Sequence, residues 1–68
     1  MKSVSGRRLC QILEKHDWVL VRPRGSHYIY AQPDNPTILT VPVHGNRDLK
    51  KGTLRALLKG AGLMEDDL

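Results

Sequence analysis

The stretch Arg24-Gly25-Ser26-His27-Tyr28-Ile29-Tyr30-Ala31 decides how the rest of this sequence is organised. Gly25 suits a tight turn because it has no Cβ to disfavour positive φ. The residues that follow are mostly aromatic or β-branched, which is the composition of a strand. His27 is therefore predicted at the mouth of a strand, directly after a turn, where a rigid strand end can hold a side chain for chemistry.

Two interpretations of His27 stay open on this pattern alone. Histidine is the side chain whose charge changes near neutral pH, so it often transfers protons in catalysis. A lone histidine in a small protein is nevertheless more often a structural residue at or near the surface. The choice between them needs the rest of the sequence.

Length and composition limit the classes of protein to be considered. The chain has 68 residues and a formal net charge of +4, and 40% of its residues are apolar. This indicates one folded domain with a small core. The positive charge favours polyanions as partners, nucleic acid first and acidic proteins second, although many small proteins are mildly basic without a functional reason.

The sequence predicts a cytoplasmic protein. Cys10 is the single cysteine, so no internal disulfide can form and a reducing compartment fits; the residue is predicted to pack in the core. No apolar run approaches the ~18 residues of a membrane span. Arg7 and Arg8 interrupt the N-terminal region where a signal peptide would have its apolar segment.

The spacing of apolar residues predicts one amphipathic helix near each end of the chain. The two sets of helical positions are Leu9, Ile12, Leu13 and His16, and Leu54, Leu57, Leu58 and Ala61. Ser5 is predicted to cap the first helix. The second helix is predicted to begin near Asp48 and to be stopped by Gly60 and Gly62.

Three stretches between these helices are rich in strand formers, at residues 18–22, 26–31 and 37–41. Pro23 lacks an N–H group and is predicted to end the first strand, and residues 32–36 are predicted to form a surface hairpin loop. The connections are too short for crossovers, so the strands should be antiparallel.

The predicted fold class is α+β, a two-layer sandwich with both helices on one face of a three-stranded antiparallel sheet. Strand alternation places His27 and Ile29 on one side of the second strand and Tyr28 and Tyr30 on the other. Ile29 favours burial of its own side of the strand, so this side is predicted to face the helices. His27 would then lie at the rim of that layer, within reach of solvent.

The inventory of reactive side chains fits one economical reaction. His16, His27 and His44 lack the close spacing of metal ligands, so no metal site or cofactor is predicted. Ser26 and His27 do not form a dyad, because neighbours on a strand point to opposite faces. The remaining reactive side chains are histidines with arginines and lysines nearby. RNA supplies its own nucleophile, the 2′-hydroxyl, so its cleavage needs only proton transfer and charge stabilisation.

Several blocks of sequence occur in an order and spacing that carry more information than any one of them alone. The blocks are Gly25-Ser26-His27 after the strand at 18–22, Thr40-Val41-Pro42, Asp48-Leu49 with Lys51-Gly52-Thr53-Leu54-Arg55, and Ala61-Gly62-Leu63. In these blocks the chain resembles the HicA-type (YcfA-like) mRNA interferase toxins. The likeness runs from about residue 2 to residue 63, nearly the whole chain.

The resemblance implies an α-β-β-β-α fold like that of double-stranded-RNA-binding domains. It implies the toxin of a type II toxin–antitoxin system, a metal-independent endoribonuclease that cleaves mRNA and is neutralised by a HicB-type antitoxin covering its active site. The toxin domain would be residues 1–63, with a short acidic tail at 64–68 that is predicted to fray. The family's catalytic histidine falls on His27, and its glycine and serine fall on Gly25 and Ser26, which we interpret as shaping the turn.

Further site residues are predicted around this centre. The candidates for holding RNA phosphate are Arg22, Arg24, Lys51, Arg55 and Lys59. His44 is a candidate second proton-transfer group, and its alternative is an ordinary loop residue. A non-catalytic RNA-binding module explains the fold and charge equally well, and a degenerate toxin that only binds its antitoxin is a third interpretation.

Overall fold

The computed structural model describes residues 2–68 and has the predicted order of elements. The helices and strands are α1 (Gly6–Lys15), β1 (Val19–Arg24), β2 (His27–Gln32), β3 (Asn35–Pro42) and α2 (Lys51–Ala61), followed by a short 3-10 helix (Glu65–Asp67). The strands form one antiparallel sheet in the order β1-β2-β3, with β2 in the middle. The predicted α+β fold is confirmed.

Both helices bury the predicted apolar faces. The buried members are Leu9, Ile12 and Leu13 in α1 and Leu54, Leu57 and Leu58 in α2. The Ser5 hydroxyl accepts a hydrogen bond from the Arg8 backbone N–H at 3.0 Å, so the predicted cap is confirmed. No helix in residues 2–68 has both the length and the apolar character needed to cross a membrane.

The C-terminal end of α2 differs in part from the prediction. The helix begins at Lys51 after the N-cap residue Lys50, close to the predicted start near Asp48, whose backbone forms an isolated antiparallel bridge with Ser5. Gly62, with φ of 71°, caps the C-terminus in the left-handed conformation that glycine adopts without strain. Gly60 lies inside the helix, so the prediction that it also stops the helix was wrong.

The helices cover the face of the sheet that carries Tyr28 and Tyr30, and the prediction that they meet the side of Ile29 was wrong. Tyr30 is only 1% exposed, and its hydroxyl donates a hydrogen bond to Glu14 Oε2 on α1 at 2.6 Å. An aromatic ring buries more apolar surface than isoleucine, and α1 supplies the partner that a buried hydroxyl needs. Burial, aided by this hydrogen bond, raises the pKa of the Tyr30 hydroxyl. His27 therefore lies on the open face of the sheet, away from the helices.

Pro23 does not end the first strand, and the prediction that it does was wrong. β1 continues through Pro23 to Arg24, because β1 is an edge strand and a missing N–H there can face solvent. The loop predicted at residues 32–36 narrows to a turn at Pro33-Asp34, with Asp34 at φ of 61°. Asn35 already pairs with Gln32, so β3 is longer than predicted.

The C-terminal residues are ordered against the domain, which corrects the prediction of a frayed tail. The backbone N–H of Met64 donates a hydrogen bond to Asp67 Oδ2 at 2.7 Å and so closes the short 3-10 helix. Leu68 is partly buried and packs against the core. The tail is thus closed by a hydrogen bond of its own and packed against the core by its last residue.

Cys10 should react slowly with thiol reagents in the folded protein. Its side chain is 6% exposed, and burial raises the pKa of its thiol, so both access and the thiolate fraction are low. We expect alkylation by iodoacetamide to be more than about tenfold slower in buffer than in denaturing urea. A mass-spectrometric time course measures both rates, and equal rates would show that α1 does not bury this thiol.

Candidate functional site

A tight turn between β1 and β2 positions His27. Gly25 and Ser26 are the turn residues, and Arg24 pairs with His27 across them. Gly25 has φ of 60° whereas Ser26 is not in the positive region. A positive φ at the first central residue alone is typical of a type II′ turn, in which glycine is favoured at that position. The turn matches the right-handed twist of the two strands and therefore fixes where β2 begins.

The backbone of His27 is held from both sides. It pairs with Arg24 on β1 and with Pro42 on β3. The carbonyl of Ser26 accepts a hydrogen bond from the Val43 N–H at 2.7 Å, which ties the turn to the end of β3. The side chain itself is exposed and makes no hydrogen bond or ion pair with any of residues 2–68. An accessible imidazole thus stands on a rigid support.

The open face around His27 is positively charged. Residues paired across antiparallel strands lie on the same face of a sheet. Arg24 is paired with His27, and Arg22 with Ile29, so both arginines share the face of His27, and both are exposed. None of the three strands contains an acidic residue. The sheet therefore offers a phosphate two cations close to the imidazole.

The cations of α2 form a separate group. Lys51, Arg55 and Lys59 are all exposed on this helix. Because α2 packs on the face opposite His27, the structure does not bring these side chains into one cluster with the imidazole. The residues that the sequence grouped as phosphate contacts thus divide between the two layers of the sandwich.

A pocket of about 380 Å³ lies where β3 ends and the chain turns towards α2. We name it the loop pocket, and its lining residues are Pro42, His44, Arg47, Asp48, Leu49, Lys50 and Thr53. Pro42 is also the cross-strand partner of His27, so the pocket adjoins the strand end that carries the imidazole. His44, predicted as a candidate from the sequence, is one of the lining residues.

Arg47 and Lys50 were not among the predicted site residues. The signal for them was the clustering of basic side chains between β3 and α2, where His44, Arg47 and Lys50 fall within a few positions of one another. Residue spacing in a loop has no fixed period, so their convergence on one pocket could not be inferred from the sequence. His16 lies apart from this region, as the residue that closes α1.

No group of three or more His, Cys, Asp or Glu side chains is arranged to hold a metal ion anywhere in residues 2–68. The open face carries the imidazole of His27 and the guanidinium groups of Arg22 and Arg24, and the loop pocket adjoins it.

A protein-family model described as the HicA toxin of bacterial toxin-antitoxin matches residues 6–63 of the 68-residue chain. A comparison with curated proteins found no match. The matched region extends from the first residue of α1 to beyond the end of α2, so it includes the whole sandwich, the open face with His27 and the loop pocket.

Proposed function

Because the chain belongs to the HicA toxin family of bacterial toxin–antitoxin systems, we propose that it is an endoribonuclease that cleaves mRNA and that His27 is its catalytic group. One observation supports this most directly. His27 is exposed at the end of the central strand, its backbone is fixed by pairing on both sides, and Arg24 lies opposite it. Such a support keeps a proton-transfer group in a constant position relative to a bound phosphate.

The proposed reaction uses the nucleophile that RNA already carries. The 2′-oxygen attacks the neighbouring phosphorus, the bond from phosphorus to the 5′-oxygen breaks, and the products are a 2′,3′-cyclic phosphate and a 5′-hydroxyl. The 2′-hydroxyl loses one proton and the 5′-oxygen gains one, so the reaction is balanced without a metal or a cofactor. His27 transfers one of these protons, a contribution typically worth about 10²–10⁴-fold in rate.

The cations have separate roles in this proposal. Arg24 and Arg22, on the face of His27, stabilise the negative charge that develops on the phosphate oxygens in the transition state. His44 is the candidate for the second proton transfer, since it lines the pocket that adjoins His27 through Pro42. Lys51, Arg55 and Lys59 belong to α2, in the layer opposite His27, and we assign them to phosphates farther along the RNA.

The proposed protein partner is a HicB-type antitoxin that covers the open face of the sheet in the cytoplasm. Val19 on β1 and Ile38 on β3 are each 57% exposed. Exposed apolar side chains on the same face of the sheet as the basic residues of the site would let an antitoxin bury apolar surface and exclude RNA at the same time. Binding of this kind would also stabilise a domain with so small a core.

The proposed function predicts that cleavage depends on the 2′-hydroxyl. The purified chain should cut an end-labelled RNA oligonucleotide and leave the same sequence with 2′-deoxyribose intact. Mass spectrometry should find 2′,3′-cyclic phosphate ends on the products, and EDTA should not change the rate. Equal cleavage of the deoxyribose substrate, or loss of activity in EDTA, would contradict the proposed reaction.

A second function is favoured by the basic surface of α2. Lys51, Arg55 and Lys59 are exposed in the helical layer, on the side of the domain away from His27. A non-catalytic RNA-binding module would explain these residues without any reaction at the sheet, as would a toxin that has lost activity and only binds its antitoxin. Substitution of His27 separates both alternatives from the enzyme, since neither of them needs the imidazole.

A further inference from the structure

Arg47 and Lys50 of the loop pocket have no part in the chemistry proposed at His27, and the pocket has the size of a ligand site of its own. Its volume of about 380 Å³ lies within the range of roughly 300–1,000 Å³ that is usual for small-molecule sites. The pocket is formed by the end of β3, the loop after it and the first residues of α2. A concave site of this size on so small a domain is large enough for one unit of a polymeric substrate.

The charges in the loop pocket select for an anion. Arg47 and Lys50 bring a guanidinium and an ammonium group and His44 adds a third basic side chain, whereas Asp48 is the one carboxylate in the lining. All three basic side chains are exposed, and none forms a hydrogen bond or ion pair with another of residues 2–68. Their donors are therefore available to phosphate oxygens, which both arginine and lysine bind well.

The pocket also continues the path that a bound RNA would take from His27. Pro42 pairs with His27, and paired Cα atoms are about 4.5–5.5 Å apart in an antiparallel sheet. An RNA whose scissile phosphate lies at His27 would run towards Arg24 and Arg22 on one side. On the other side it would pass Pro42 and reach the loop pocket, where Pro42 and Leu49 offer an apolar wall to a ribose or a base.

We propose that the loop pocket binds a nucleotide next to the one that is cleaved, with Arg47 and Lys50 contacting its phosphate. This inference rests on the proposed endoribonuclease function and adds a substrate subsite to it. The pocket would hold the RNA in register with His27, so removal of Arg47 and Lys50 should weaken substrate binding and leave the proton transfer itself unaffected.

The test compares two double variants, each of which replaces one arginine and one lysine. Arg47→Ala with Lys50→Ala removes the cations of the pocket. Arg8→Ala with Lys15→Ala removes two exposed cations of α1, where Arg8 has only a local bond to the side chain of Gln11. Binding is measured by fluorescence anisotropy with a 2′-O-methyl RNA oligonucleotide, which the enzyme cannot cleave, over a range of salt concentrations.

We expect the pocket variant to bind this probe about tenfold more weakly than the control variant. The slope of log Kd against log salt should become less steep by about 0.7 for each phosphate of the single strand that the variant no longer neutralises. With cleavable RNA, KM should rise while kcat is kept. Equal affinity and equal salt dependence in the two variants would overturn the inference.

Two further results separate this inference from the proposed function. If the binding difference is found but no form of the protein cleaves RNA, the subsite is supported and the enzymatic function is wrong. If RNA is cleaved but the pocket variant matches the control, only the subsite is wrong. Amide NMR of the unsubstituted chain checks the location directly: the probe should shift resonances between His44 and Thr53, and shifts confined to β1 and β2 would overturn the inference.

Discussion

Replacing His27 with alanine should abolish the growth arrest caused by inducing this protein and reduce its rate of RNA cleavage by about 10²–10⁴-fold, the usual contribution of a positioned acid or base. The expectation follows from the site, where this imidazole is exposed on the central strand and Arg24 is its cross-strand neighbour. The measurements are the growth of cells after induction and the single-turnover rate with an end-labelled RNA.

The matched control is His16→Ala. His16 is also an exposed histidine, but it lies at the C-terminal end of α1. Its backbone carbonyl, and not its side chain, accepts a hydrogen bond from Gln32 Nε2 at 2.9 Å. This variant should therefore keep both toxicity and cleavage. Neither substitution removes a buried side chain, so each should change the free energy of unfolding by less than about 0.5 kcal/mol, which thermal denaturation can check.

Equal toxicity of His27→Ala and the unsubstituted chain would defeat the catalytic assignment. It would favour the RNA-binding alternative, in which the cations of α2 are the functional residues. For the same preparation, that alternative predicts that RNA affinity depends on Arg55 and Lys59 and not on the imidazole of His27. The two functions are separated by RNA cleavage, which an enzyme should lose in His27→Ala and which a binding module does not show in any form.

The order of elements could be predicted because the local signals agree with one another. Helical spacing identified both buried helix faces, and Ser5 marked the start of α1 through a cap that is present in the structure. The short connections allowed only antiparallel strands. Consistency between periodicity, capping and connection length is what makes such a prediction reliable.

The choice of the buried sheet face could not be made from β2 alone, because both of its faces carry residues suited to a core. Ile29 favoured one face by its hydropathy, yet the structure buries Tyr30, whose hydroxyl finds Glu14 on α1. That partner lies sixteen positions away in the sequence, so no local pattern contains it. The error moved His27 from the rim of the helical layer to the open face, where it is more accessible than the sequence predicted.

The candidate site likewise combines features that the local sequence predicts with features that only the folded chain creates. The turn at Gly25 and Ser26 is local chemistry, and it places His27 as its sequence suggested. The grouping of cations depends instead on how the layers stack, which separates Arg22 and Arg24 from the residues of α2. The loop pocket depends on three segments that meet only in the folded chain, so Arg47 and Lys50 became visible only with the structure.

Gly6 has a structural role that no local sequence pattern indicates. It is the first residue of α1, and the helix there packs directly onto the backbone at the end of β3. A Cβ at this position would overlap the carbonyl oxygen of Pro42 and lie 3.3 Å from the Cα of Val43. These are backbone atoms, so no change of rotamer could relieve the contact, and either the helix or the strand end would have to move.

Gly6→Ala should therefore destabilise the domain by at least about 1–3 kcal/mol, the usual cost of overpacking. For a domain of this size each kcal/mol lowers Tm by roughly 4–8 °C. Because Pro42 pairs with His27 and lines the loop pocket, the molecules that still fold should also cleave RNA more slowly. Thermal denaturation and single-turnover cleavage are the measurements.

Gly52→Ala is the matched control, since a Cβ added there meets nothing within 4 Å and the residue lies in the first turn of α2. Alanine is favoured over glycine in a helix by about 0.5–1 kcal/mol, so this variant should be as stable as the unsubstituted chain or more stable. If Gly6→Ala were as stable as the unsubstituted chain, the first residue of α1 could not be packed against Pro42. The geometry proposed for cleavage, in which this packing holds the end of β3 beside His27, would then be wrong.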